Sequence, residues 1–166
     1  MKRALLVAIC VVLLLLLPLG IWTFCASSDL AGLPAAIEKG TGEEQVAVLE
    51  TAESGDFLAA LFSAGDERQR VALFRKNLFG RYEFFGDGSG SGAVHTYSYS
   101  ERGERTLVAV YGAWPEGAER YSFELGGRRF EGARKGELLL DLYLEEGVNS
   151  SAGNLTLYGV DGAELS

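Results

Sequence analysis

His95 is the only histidine in the chain, so any nucleophile–histidine–carboxylate triad would have to use it. Such a triad needs the imidazole within hydrogen-bond reach of both partners. Around it the chain reads Val94-His95-Thr96-Tyr97-Ser98-Tyr99. In an extended segment this period-two pattern puts His95, Tyr97 and Tyr99 on one face. No G-x-S-x-G elbow and no phosphate-binding P-loop occurs anywhere in the sequence. His95 therefore reads as a half-exposed sheet residue, and no catalytic residue is assigned. Carboxylates offer a second route to acid–base chemistry. Glu43-Glu44 and Glu145-Glu146 are sequence neighbours, and neighbours on a strand point to opposite faces. Asp141 lies among leucines and is expected to face solvent. Tyr97, Tyr99, Trp114, Tyr121 and Tyr143 are the candidate binding-face aromatics, because exposed Tyr and Trp suit carbohydrate or protein contact. Core packing is the competing use of the same rings.

A glycine-rich stretch, Gly86-Asp87-Gly88-Ser89-Gly90-Ser91-Gly92, carries the order Asp87-x-Ser89-x-Ser91. This order resembles the metal-dependent adhesion site of von Willebrand A domains. The resemblance implies a carboxylate and hydroxyls holding a hard cation between a buried strand and a helix, and it covers five residues. Residues 82–85 before the motif look like a strand. Residues 94–99 after it have β-type rather than helical character. The alternating helices of a doubly wound fold are also missing from the pattern. The stretch is accordingly expected to be a flexible hairpin loop, with no metal site and no cofactor.

Both cysteines, Cys10 and Cys25, fall at the start of the chain, so the rest can form neither an internal disulfide nor a thiolate metal site. Setting aside Lys2 and Arg3, the 15 basic residues fall to 13 against 23 acidic ones, and the formal charge moves from −8 to −10. That balance argues against nucleic acid, which demands clustered cations. Arg68, Arg70, Arg75, Lys76 and Arg81 form one local basic group, and Arg128, Arg129, Arg134 and Lys135 another. Ordinary solvated edges and turns account for both; a small anion-binding patch is the functional alternative. Asn149 and Asn154 open Asn-x-Ser/Thr tripeptides, which are glycan acceptors only in a eukaryotic secretory pathway. The absence of disulfides leans toward a bacterial cell surface.

The elements that must position these residues begin with an uncharged apolar run at residues 4–25, including Leu13, Leu14, Leu15, Leu16, Leu17 and Trp22. As a helix it would span roughly 33 Å, the thickness of a bilayer core. Lys2 and Arg3 precede it, so the N-terminus should stay in the cytoplasm and the remainder should lie outside. The run is long for a cleaved signal core, and Phe24 and Ile9 fit poorly before a lipidated cysteine. The expectation is a retained signal-anchor helix in the plasma membrane. Residues 26–44 read as a juxtamembrane linker, with a short helix over 33–39. From residue 45 to 166, nine or ten short apolar segments alternate with turn signals. They predict an all-β domain, an antiparallel sandwich or a barrel-like fold. The expected function is a single-pass membrane protein whose extracytoplasmic domain is a non-catalytic binding, sensing or assembly module. Its partners would be the membrane and a protein or glycan at the cell surface. The alternative is an envelope hydrolase using carboxylates or His95 brought together by folding.

Overall fold

The computed structural model describes residues 27–65, 68–90, 93–101 and 104–165. The expected membrane helix at 4–25, with Leu13 to Leu17 and Trp22, lies outside the described residues. Among the described residues, no helix is long and apolar enough to cross a membrane.

The chain first makes a 3-10 turn, Leu30–Gly32, and one helix, α1 (Leu33–Thr41). Pro34 lies in its first turn, where the missing N–H costs nothing, and Gly42 ends it in the left-handed region at φ +76°. The strands β1 (Ala47–Ser54), β2 (Phe57–Ser63), β3 (Gln69–Lys76) and β4 (Tyr82–Ser89) form a first sheet in sequence order. The second sheet is β5 (Val94–Glu101), β6 (Arg105–Ala113) and β9 (Leu138–Glu146), with β6 in the centre. The third contains β7 (Arg120–Leu125), β8 (Arg128–Ala133), β10 (Thr156–Tyr158) and β11 (Glu164–Leu165), in the order β11-β10-β7-β8. Every strand pairing is antiparallel. Gly126 and Gly127, both at positive φ, turn β7 into β8 as the sequence predicts for a two-residue hairpin.

Three buried clusters hold these elements in layers. Leu33 and Ile37 of α1 meet Leu58, Phe62 and Phe74 on the outer face of the first sheet. Ala59, Leu61 and Leu73, on its other face, meet Ala109, Tyr111 and Leu140 of the second sheet. Val108, Val110 and Leu139, on the far side of that sheet, meet Tyr121, Phe123 and Leu125 of the third. Thus β2, β3 and β6 are covered on both faces, which is why their sequences are nearly continuous apolar runs.

The structure refines three expectations. Within the stretch 26–44, expected to be a linker with a short helix, α1 buries Leu33 and Ile37 against the first sheet. The expected all-β antiparallel fold is present as three stacked sheets, because β7, β8, β10 and β11 form a layer of their own beside β5, β6 and β9. Asp141 is only partly exposed, since β9 is also covered on its second face.

The point where the described chain begins is fastened to the first sheet. Ser28 and Tyr82 exchange backbone hydrogen bonds of 2.8 and 2.7 Å. The Arg81 guanidinium donates to the Ser27 carbonyl at 2.7 Å.

Candidate functional site

The five candidate aromatics occupy interlayer positions rather than one open face. Trp114 and Tyr121 are buried between the second and third sheets. Tyr143 packs against the same cluster, and Tyr97 and Tyr99 against the one between the first two sheets. Phe123, Phe130 and Tyr143 form an aromatic triangle with ring centroids 5.2–5.5 Å apart. Tyr121 and Trp114 therefore cannot present their rings to a ligand.

Tyr121 instead anchors a polar network. Its hydroxyl donates to Asp141 Oδ2 at 2.6 Å. With that proton committed, Tyr143 is the donor in the 2.7 Å contact between the two phenols; the Glu131 carbonyl is an alternative acceptor at 3.3 Å. Lys135 Nζ donates to the other Asp141 oxygen at 2.9 Å. Burial first, then the bonds to Asp141 and Tyr143, raise the Tyr121 phenol far above its ordinary value. It stays protonated and is a poor base. The network ties two layers together and offers no activated group.

His95 packs its ring 5.6 Å from that of Tyr111. Under this part of β5 runs the glycine-rich stretch, and the flexible loop expected there is largely strand. β4 continues through Ser89, while Ser91 and Gly92 lie outside the described residues. A Cβ at Gly88 would meet the Tyr97 ring at 2.5 Å, and one at Gly90 would collide with His95. The glycines let β5 aromatics lie directly on the backbone. Asp87 and Ser89 alternate outward and are exposed.

Between β2, β4 and β5 lies a cleft of about 130 Å³, bordered by Phe57, Arg75, Glu83, Phe85, Tyr99 and Glu101. Ligand pockets start at about 300 Å³. Two carboxylates line this cleft, and both are engaged. Glu101 accepts from Arg75 and, at 2.7 Å, from Arg105. The Arg75 bond foremost holds its carboxyl below the usual range. Both guanidiniums also lie over the Phe57 ring, 5.1 and 5.3 Å from its centroid. Glu83 accepts from Asn77 at 3.1 Å. The cleft is an ion-paired aromatic clasp closing one end of the first two layers.

The outer face of the third sheet is different. Alternation turns Tyr121, Phe123 and Leu125 inward and leaves Arg120, Ser122 and Glu124 outward, beside Arg129 and Glu131 of β8 and Tyr158 of β10. Arg129 donates to the Tyr158 hydroxyl at 3.0 Å, lies over its ring, and pairs with Glu131 at 2.9 Å. Tyr158 also shares a 3.1 Å hydrogen bond with Ser122. Arg120 is exposed and makes no ion pair or side-chain hydrogen bond among the described residues. These groups surround a shallow hollow of about 180 Å³. Tyr158 was not among the sequence candidates, because its strand is only three residues long and shows little alternation.

Several cations of the two basic groups are matched by acids: Arg70 by Glu43, Arg75 by Glu101, Arg128 by Glu145, Arg134 by Glu119 and Lys135 by Asp141. No family model, curated protein or solved structure matches the chain.

Proposed function

We propose that the chain is a single-pass membrane protein with a short cytoplasmic N-terminus, a signal-anchor helix at residues 4–25 and an extracytoplasmic β domain. The domain acts as a non-catalytic binding, sensing or assembly module, and its ligand face is the outer face of the third sheet. The observation that carries this reading is the unpartnered Arg120 beside the Arg129–Tyr158 pair, on an open sheet face over a shallow hollow. A guanidinium next to an aromatic ring suits a carboxylate-bearing protein segment or an acidic glycan. The layer order also supports it. The anchor joins the domain on the first sheet, and this face belongs to the last. Tethering raises the effective concentration of the module at the surface, so modest intrinsic affinity suffices.

A photo-crosslinking side chain in place of the exposed, outward Glu124 tests the reading in intact cells. The expected result is a discrete adduct that disappears when Arg120→Glu is added, while the chain stays in the membrane pellet at alkaline pH. An adduct indifferent to Arg120→Glu, or no adduct, would overturn the ligand face. A C-terminal tag shielded from impermeant reagents would overturn the topology.

A further inference from the structure

The hairpin joining β3 to β4 is Asn77-Leu78-Phe79-Gly80. Leu78 is fully exposed, and Phe79 is 59% exposed. Turn tips ordinarily carry Gly, Asn, Asp or Ser. Two large apolar side chains at this one have no use inside the fold.

Nor is the tip loose. Asn77 Oδ1 accepts from the Phe79 and Arg81 amides at 3.0 and 3.1 Å. Asn77 Nδ2 donates to Glu83 at 3.1 Å. Gly80, at φ +72°, donates to the Asn77 carbonyl at 2.9 Å, and the Asn77 amide donates to that of Arg81 at 2.8 Å. Leu78 and Phe79 are held outward on a braced turn, the arrangement expected of a surface that meets an apolar partner.

The identity of that partner follows from how Ser27 and Ser28 are held. Ser27 and Ser28 are fastened to Arg81 and Tyr82, the residues just past the tip. The uncharged apolar run ends at Cys25, two residues earlier, a reach of about 7 Å even when fully extended. A medium that holds this run comes up against the hairpin. Lys76, exposed beside the tip, is placed to meet lipid phosphates. Leu30, also exposed, follows two residues after the Ser28–Tyr82 bridge.

We infer that the Leu78–Phe79 tip seats in the lipid interface beside the anchor, as a second membrane contact that fixes how the domain stands on the bilayer. This rests on the membrane-tethered reading above. One anchor alone leaves a domain free to swivel. A second contact at the first sheet would hold the ligand face of the third sheet in a constant orientation.

The test places a nitroxide at Leu78→Cys in the full chain, with Cys10→Ser and Cys25→Ser. The protein is reconstituted into vesicles of phosphatidylcholine and phosphatidylglycerol. The control nitroxide is at Val160→Cys, an exposed position on the turn between β10 and β11. Oxygen concentrates in lipid and a chelated nickel reagent in water. The expected result is an oxygen-to-nickel access ratio at position 78 several-fold above that at 160. Equal ratios would overturn the inference. Low access to both reagents at 78 would also overturn it, because a second copy or another protein would then cover the tip. Alkaline extraction of the same vesicles separates the two failures. Loss of the whole chain sinks the tethered reading, whereas a retained chain with a wet tip sinks only the lipid contact.

Discussion

Removing one oxygen from Tyr121 is the most direct way to weigh the network between the second and third sheets. Tyr121→Phe keeps the ring and leaves Asp141 and Tyr143 without their shared partner. The expected loss is about 1–3 kcal/mol, read from the urea midpoint. Tyr143→Phe should cost less, since that hydroxyl is partly exposed and loses a weaker set of bonds. An unshifted midpoint for Tyr121→Phe would mean that water replaces the bond fully. The phenols also set the alkaline limit. Tyr82 is pushed up to about 12 by its hydrogen bond to Glu53 and then by burial, and Tyr111 to about 12 by burial. Tyr97, Tyr121 and Tyr143 move in the same direction. A raised value means that the folded state keeps protons which the unfolded chain has released. Their contribution is therefore whole below the ordinary tyrosine value of 10.0 and is lost as pH rises through the folded values. Denaturant titrations should show level stability up to that point and a fall above it, shallower in Tyr82→Phe. Stability still level at pH 12 would contradict the assignment.

Among the elements, β4 departs furthest from its sequence signal. Gly86, Gly88 and Gly90 suggest a flexible loop, yet their spacing of two is also the period of a strand. Sequence alone does not reveal that Tyr97 and His95 lie on that glycine row, because the contact joins two layers. Gly88→Ala should force the Tyr97 ring aside and cost about 1–3 kcal/mol. Asp87→Ala, one residue away on the exposed side, should leave the urea midpoint nearly unchanged with or without calcium. A large calcium-dependent change would instead restore the adhesion-type reading of Asp87-x-Ser89-x-Ser91. Other elements were far more legible. The segments 57–63 and 120–125 coincide with β2 and β7, since apolar runs bounded by Gly-Asp or Pro-Glu-Gly turns leave little room for shift. α1 was visible as a short helix, but not its docking, because only the fold supplies Phe62 and Phe74 as partners for Ile37. Trp114 and Tyr121 looked like binding residues for the same reason: an aromatic residue on a strand has the same sequence signature whether its face is covered or bare.

At the scale of the molecule, β6 decides how the layers depend on one another. Val108 and Val110 belong to one core, Ala109 and Tyr111 to the next, so neither core can open without exposing this strand. β2 and β3 play the same part between α1 and the second sheet, with Leu58 and Phe74 on one face and Leu61 and Leu73 on the other. Shared strands of this kind predict a single cooperative transition rather than layer-by-layer melting. Ile37→Val in α1 tests this from one end of the stack to the other. Ile37 is fully buried against the first sheet and shares no core cluster with Trp114, which lies between the second and third. The chain has two tryptophans, so Trp22→Phe leaves Trp114 as the sole tryptophan, read selectively by red-edge excitation. Losing one methylene at Ile37 should lower stability by about 0.5–1.5 kcal/mol. In full-length protein held in detergent micelles, the Trp114 midpoint should shift by the same amount as the far-ultraviolet β signal. A Trp114 transition that ignores Ile37→Val while the β signal shifts would show that the third sheet unfolds on its own, and that β6 does not couple the layers.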